Sequence, residues 1–257
     1  MPELSRLTHV EAAGALARAR VAVLPVGATE QHGPHLELCT DIAIAEAFAR
    51  RLSDALGADA VLCPPVPYGL SEHHLHFSGT MTLRPATFAA VLSDIAESLA
   101  IHGIRRVLVV NGHGGNFDAV KLAARQARRD QDVLMAHLSW ARLAADVIRT
   151  EMAGEARYNH ACQIETSIAM ALVPDIVRPD LIGEADLVTD RDPYTEPHDS
   201  VVDVPIWFDE WTANGALGDP KASSVELGER IVAVVQERSV GFARRFMDGL
   251  VAGGPRS

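Results

Sequence analysis

Apolar residues fall in two patterns along this chain. Unbroken runs occupy residues 21–26 (VAVLPV) and 105–110 (RRVLVV), with shorter ones in AVLCPPV from Ala60 and DVLMAHL from Asp132. Such runs, bounded by turn formers, read as strands buried on both faces, as in a parallel sheet. Between them the spacing changes. In DIAIAEAFARRLSDALG, Ile42, Ala45, Phe48, Ala49, Leu52 and Leu56 recur at helical intervals, with Asp41 opening the helix and Gly57 closing it. Further helices are predicted near 9–19, from Pro85 to about His102, and over 117–130, 163–172 and 223–247. Residues 67–80 form a Gly-, Ser- and His-rich loop, 174–220 read as irregular, and the tail 251–257 is expected to be disordered. Strand–helix alternation without an internal repeat or linker predicts one α/β domain over 1–250. Its form would be three layers, a mainly parallel central sheet flanked by helices.

Composition narrows the partners. The 257 residues suffice for one substantial core, and 48% hydrophobic with 22% charged residues is ordinary for a globular protein. No apolar run approaches the ~20 residues of a membrane span. A net charge of −11 argues against nucleic acid, which is held through its phosphates by basic residues. Paired arginines such as Arg105-Arg106 and Arg128-Arg129 read as helix ends and solvated faces. The first residues lack the basic and apolar regions of a signal peptide, and Cys39, Cys63 and Cys162 show no paired spacing. A cytoplasmic location is the expectation.

The candidate chemistry lies just after two of the strands. The run TEQHGPHLELCTD supplies Glu30, His32, His35, Glu37 and Asp41, and NGHGGN supplies His113. In open α/β sheets, ligands bind outside the carboxyl ends of the strands, so neighbouring strands would bring these loops to one rim. Imidazole and carboxylate are competent ligands for zinc, manganese or magnesium. Singly, Asp41 would be an N-cap and a histidine a satisfied polar group. Glu30, His32, Asp41 and His113 together point to a divalent ion, with His35 and Glu37 in supporting roles.

LPVGATEQHGPHLELCTD and VNGHGGN resemble the signatures of the creatininase family of metal-dependent amidohydrolases. YGLSEHHLHFSGTMTL and HACQIETS resemble two further blocks in the same order, and ANGALGDP extends the likeness. The resemblance implies a creatininase-like fold and two divalent ions, zinc or alternatively manganese or iron. Glu30 and His32 would each hold one ion, Asp41 would bridge them, and His113 would complete one set. Creatininase has a glutamate two residues beyond that histidine, where this chain has Gly115. Glu165 would be the best compensating ligand and is a catalytic candidate, and His160 matches the family's acid/base histidine. Ser71, His74, Gly114 and Tyr158 fall on the substrate side. His73 stands where many members have Glu, and Ser78 where many have Pro. The run HHLH is not expected to form a separate metal site, since successive residues of an extended chain alternate sides.

The implied reaction is hydrolysis of a C–N bond in a small-molecule amide, cyclic amide or formamide, by water activated between two metals. The alternatives are a peptidase-like member that matures a peptide-derived cofactor, and a metal phosphoesterase. Creatinine itself is disfavoured because GEARYN, before His160, lacks the tryptophan that creatininase has shortly before its catalytic histidine; Arg157 there could attract an anion. Trp140, Trp207 and Trp211 cannot be placed from sequence. The resemblance also implies a homo-oligomer, hexameric in the family.

Overall fold

The protein is described from a computed structural model, over residues 1–153, 158–189, 202 and 204–249. Strands β1 (Val21–Val26), β2 (Ala60–Leu62), β3 (Arg106–Asn111) and β4 (Leu134–Ser139) form one parallel sheet in the order β2-β1-β3-β4. These are the four apolar runs of the sequence. Pro25 is tolerated in a central strand because the β1–β2 register ends at Val23 opposite Leu62.

Eight α-helices accompany the sheet among the described residues: α1 (His9–Leu16), α2 (Thr40–Leu56), α3 (Pro85–Ile101), α4 (Phe117–Asp130), α5 (Trp140–Leu143), α6 (Ala145–Glu151), α7 (Gln163–Leu172) and α8 (Val225–Asp248). The strand side chains alternate between two cores, as the pleat requires. Val21, Val23, Leu108 and Val110 pack with Ile44, Phe48 and Leu52 of α2, Ile168 of α7 and Ile231 of α8. Ala22, Leu24, Val107 and Val109 face the other way, onto Phe88 and Leu92 of α3 and Val120 and Ala123 of α4. The result is the expected three-layer α/β arrangement.

The sequence pattern gives no sign of α5 and α6. They are four and seven residues long, and Ile148 is the one buried side chain between them, too little for a periodic stripe. A second small sheet pairs β5 (Tyr158–His160), just before α7, with β6 (Leu217–Gly218), antiparallel; β6 falls inside the stretch of 174–220 read as irregular. The tail 251–257 and Arg157 lie outside the described residues. No described helix is long and apolar enough to cross a membrane.

The sheet's C-terminal edge is drawn tightly against α2. A Cβ on Gly112 would stand 2.1 Å from the Asp41 carbonyl oxygen, and one on Gly27 would stand 2.5 Å from the Ile42 nitrogen. Only glycine lets both strand ends approach the first turn of α2. Gly112→Ala should therefore cost about 1–3 kcal/mol of stability. Gly114→Ala, where a Cβ meets nothing within 4 Å, should change stability by less than about 0.5 kcal/mol. Urea unfolding of the two variants makes the comparison, and equal stabilities would contradict the packing argument.

Candidate metal centre

β1 and β3 are neighbours in register, with Val26 opposite Asn111 and the Gly112 N–H donating to the Val26 carbonyl at 2.9 Å. The two loaded loops therefore leave the sheet side by side. Asn116 ties them together. Its Oδ1 accepts from the Leu70 N–H and its Nδ2 donates to the Gly27 carbonyl, both at 2.9 Å. Asn111 accepts the His113 N–H through Oδ1 at 3.2 Å. Asp41 does not cap α2. Cys39 holds that position, without a side-chain cap bond, and Asp41 sits inside the first turn with its carboxylate aimed into the site.

From the second sheet, β5 delivers His160, and the chain turns through Ala161 into α7. Ala161 has φ +50°, a left-handed conformation uncommon for a residue with a side chain. That turn lets its N–H donate to Glu165 Oε2 at 2.7 Å and orient the carboxylate.

The distances define two subsites. His113 Nε2–H donates to the Leu70 carbonyl at 2.8 Å. Its Nδ1, bare in the neutral ring, lies 3.2 Å from Glu30 Oε1 and 3.0 Å from Asp41 Oδ2. His32 Nδ1–H donates to the Glu30 carbonyl at 3.1 Å. Its Nε2 lies 3.2 Å from Asp41 Oδ1 and 3.8 Å from Glu165 Oε2. Each histidine thus fixes one nitrogen on a backbone carbonyl and turns the other towards two carboxylates, the orientation of metal-ligating histidines. Asp41 offers one oxygen to each set.

A divalent ion fits this donor set. Glu30, His32, Asp41, His113 and Glu165 are all buried, and both Glu30 oxygens and Asp41 Oδ2 lack a hydrogen-bond donor. Ligands about 2.1 Å from a tetrahedral ion stand about 3.4 Å apart, close to the separations found. The residues group as Glu30, Asp41 and His113 on one side and His32, His160 and Glu165 on the other; Glu30, His74 and His160 form a third grouping.

Without cations, protons gather in their place. Burial alone would lower His32, yet Asp41 and Glu165 raise it to about 10. His113 is also raised despite its burial, by Glu30 and Asp41. Burial raises Glu30, and it raises Glu165 to about 7. Asp41 is held below the usual carboxylate range, against its burial, by His32 and His113. His160 falls well below the usual imidazole range through burial and the neighbouring His32.

A cavity of about 360 Å³ opens onto the centre. Glu30, Asp41, His74, His113, Gly114, His160 and Glu165 line it, so most of the residues picked from sequence meet there. Ser71 does not line it; its side chain is fully buried and its hydroxyl is unpartnered. Tyr158 belongs to β5, and its side chain lies outside the described residues. His35 is buried against Thr166 at 2.8 Å and Glu37 pairs with Arg178, supporting roles in both cases.

Sequence reasoning missed Gln31, Asn116 and Phe208. Phe208 stacks on His74 with centroids 4.1 Å apart, and Trp140 and Trp211 also line the cavity, whereas Trp207 stacks outside on His76. The run HHLH is not the extended segment expected from the sequence: His73 and His74 lie in the 3-10 turn Glu72–His74, and both line the same cavity. A polar residue between two expected ligands was the available signal for Gln31.

A three-layer α/β sheet carrying paired carboxylate–histidine subsites at its C-terminal edge defines the class of metal-dependent hydrolases. The chain belongs to the creatininase family: the family model described as creatinine amidohydrolase matches residues 5–242. The chain is 33% identical over 230 residues to creatinine amidohydrolase of Pseudomonas putida, covering 83% of this chain and 85% of that one. It is 33% identical over 219 residues to a mycofactocin precursor peptide peptidase of Mycolicibacterium smegmatis, covering 83% and 80%. Among solved structures, a manganese form of creatininase superposes with a TM-score of 0.78 at 30% identity, covering 95% of this chain and 98% of that one.

Chelation should lower the melting temperature, and added zinc or manganese should restore it, because bound ions stabilise the folded state. The gap between metal-loaded and metal-free protein should widen with pH. In the metal-free protein, the folded pKa values of His32 (about 10) and Glu165 (about 7) lie above their unfolded values. The folded state then holds extra protons, and their stabilisation is lost as pH rises through this range. Metal binding displaces those protons and tightens over the same interval. Melting curves from about pH 6 to about pH 9, with and without chelator, test this; a gap that narrows would contradict the assignment.

Proposed function

We propose that the protein is an amidohydrolase that cleaves a C–N bond of a small amide, cyclic amide or formamide at a two-cation centre. The observation that carries this reading is Asp41, whose Oδ2 faces His113 and whose Oδ1 faces His32, each at 3.0–3.2 Å. Glu30, Asp41 and His113 would hold one ion; Asp41, His32 and Glu165 would hold the other. Bound divalent ions supply Lewis acidity towards a water and a carbonyl. Zinc and manganese both suit this set of imidazoles and carboxylates.

The remaining chemistry belongs to side chains of this chain. His160 is the acid/base group. Its Nε2–H donates to the Gln31 carbonyl at 2.7 Å, leaving Nδ1 bare to take a proton from water and return it to the leaving nitrogen. Phe208, Trp140 and Trp211 wall the cavity with apolar surface, which favours a flat or apolar substrate body and limits water around it. Gly114 lies on the same wall, where backbone can approach the substrate. Among the described residues the lining contains no lysine or arginine, the side chains that would hold a phosphate ester.

One second reading has a specific observation behind it. The peptidase relative is as similar as the creatinine amidohydrolase, so cleavage of a peptide bond in a peptide-derived substrate stands beside the small amide. A homo-oligomer, which the family resemblance implies, is the expected assembly.

The test is metal analysis of purified protein together with a screen of lactams, formamides, short peptides and phosphate esters, with size measured on the same preparation. Glu30→Gln should lose at least one ion per chain and its activity. His160→Ala should keep its metal while kcat falls about 10²–10⁴-fold. Turnover confined to phosphate esters, or Glu30→Gln with full metal and full activity, would overturn the reading.

A further inference from the structure

Gln31 lies between two residues assigned to the centre, yet its side chain points elsewhere. It is buried, and its amide orientation is fixed, because Oε1 accepts the Gly33 N–H at 2.9 Å and a backbone N–H can only donate. The amide NH2 must then be the group 2.8 Å from His74 Nδ1. A nitrogen that receives a hydrogen bond carries no proton, so neutral His74 holds its proton on Nε2. That Nε2–H faces the cavity side, 3.5 Å from Glu30 Oε1.

The same residue fixes a second ring through its backbone. The Gln31 carbonyl can only accept, so His160 Nε2, 2.7 Å away, carries that ring's proton. The Gln31 amide nitrogen is also 3.1 Å from His160 Nε2. With the His160 proton directed at the carbonyl, that contact is not a hydrogen bond. His160 Nδ1 is left bare, 3.9 Å from Glu30 Oε1. The two imidazoles, whose ring centroids are 4.7 Å apart, therefore offer opposite hydrogen-bonding atoms beside Glu30, an N–H on His74 and a bare nitrogen on His160.

The clamp on Gln31 is closed from outside by the loop before β6. Gly215 has φ +85°, and a Cβ there would stand 1.9 Å from Gln31 Oε1. The loop thus lies close against the Gln31 amide, and the Gly33 N–H selects which end of it is the oxygen.

We infer that Gln31 is a positioning residue that sets opposite tautomers on two cavity histidines, making His160 a proton acceptor at Nδ1 and His74 a hydrogen-bond donor at Nε2. A donor at that place fits an oxygen that gains negative charge as a C–N bond is cleaved. The assignment also removes His74 from the metal ligands: its Nδ1 is occupied by Gln31 and its Nε2 holds a proton. The grouping Glu30, His74 and His160 is then not a third cation site. This inference rests on the proposed amidohydrolase reading for its catalytic consequence, but the tautomers can be read without any substrate.

Nitrogen NMR of 15N-histidine-labelled protein, metal-free and zinc-loaded, reports which ring nitrogen carries the proton. Wild type should show His74 protonated at Nε2 in both forms and His160 protonated at Nε2. A His74 protonated at Nδ1, or a His74 signal shifted to that of a zinc-bound nitrogen on loading, would overturn the inference. In Gln31→Glu the carboxylate can accept from His74 Nδ1, so that ring should move its proton to Nδ1. In Gln31→Met, which adds no charge, the preference should relax to a mixture of tautomers. With whichever amide is turned over, kcat in both variants should fall about 10- to 100-fold with metal content unchanged. An unaltered His74 tautomer in both variants would sink the proposal, and so would unaltered kcat. Failure to find any amide substrate would count against the proposed function and leave the tautomer test standing.

Discussion

Three carboxylates, Glu30, Asp41 and Glu165, are buried together, and their charged partners within 4 Å among the described residues are histidines. Taking carboxylates out of water costs on the order of several kcal/mol each unless the charge is met. Neutral imidazoles cannot meet it, and their bare nitrogens would set lone pair against lone pair. The arrangement becomes economical only when positive charge lies between the groups, as protons in the metal-free protein or as divalent ions when they are bound. Helix ends assist. Asp41 and Glu165 each occupy the first turn of a helix, where the peptide dipoles favour negative charge.

This constraint explains features of the fold that have no other evident purpose. Gly27 and Gly112 strip the strand ends of side chains so that α2 can bring Asp41 between His32 and His113. Asn116 uses both ends of its amide to bind three loops, so the donors are held by a network rather than by flexible turns. Ala161 adopts a left-handed conformation to put its N–H on Glu165. Strained or close-packed backbone at a site is kept when the surrounding structure over-determines it. Here the two hydrophobic cores and the parallel register of β1 with β3 supply that rigidity.

Most of the sheet and half of the centre were legible in the sequence. The runs at β1 and β3 announce buried parallel strands because each is apolar on both faces, and a parallel sheet places their following loops at one edge. Glu30, His32, Asp41 and His113 stand out for that reason alone. Glu165 and His160 are different: they arrive from β5 and α7, and no local pattern tells which loop will fold back over the edge. The family resemblance carried that step. Gln31 and Phe208 escaped because their importance lies in what they touch, His74 and His160 in one case and the His74 ring in the other. The helices α5 and α6 escaped because short segments with one buried side chain leave no periodic trace.

The loop at Gly115 shows how the donor set and the backbone constrain each other. The family resemblance leads one to expect a glutamate at this place, but here a Cβ would stand 2.3 Å from the Leu70 carbonyl and 2.4 Å from His113 Nε2. Those are the two atoms whose hydrogen bond orients His113. A side chain at 115 would therefore break the bond that turns His113 Nδ1 towards Glu30 and Asp41. In this chain the loop closes tightly over the histidine, and on the proposed two-cation reading a further carboxylate would come from elsewhere. Glu165, anchored by the Ala161 N–H and directed at His32, is placed to provide it. On that reading the glycine at 115 and the glutamate at the start of α7 belong together, the one keeping His113 oriented and the other facing His32.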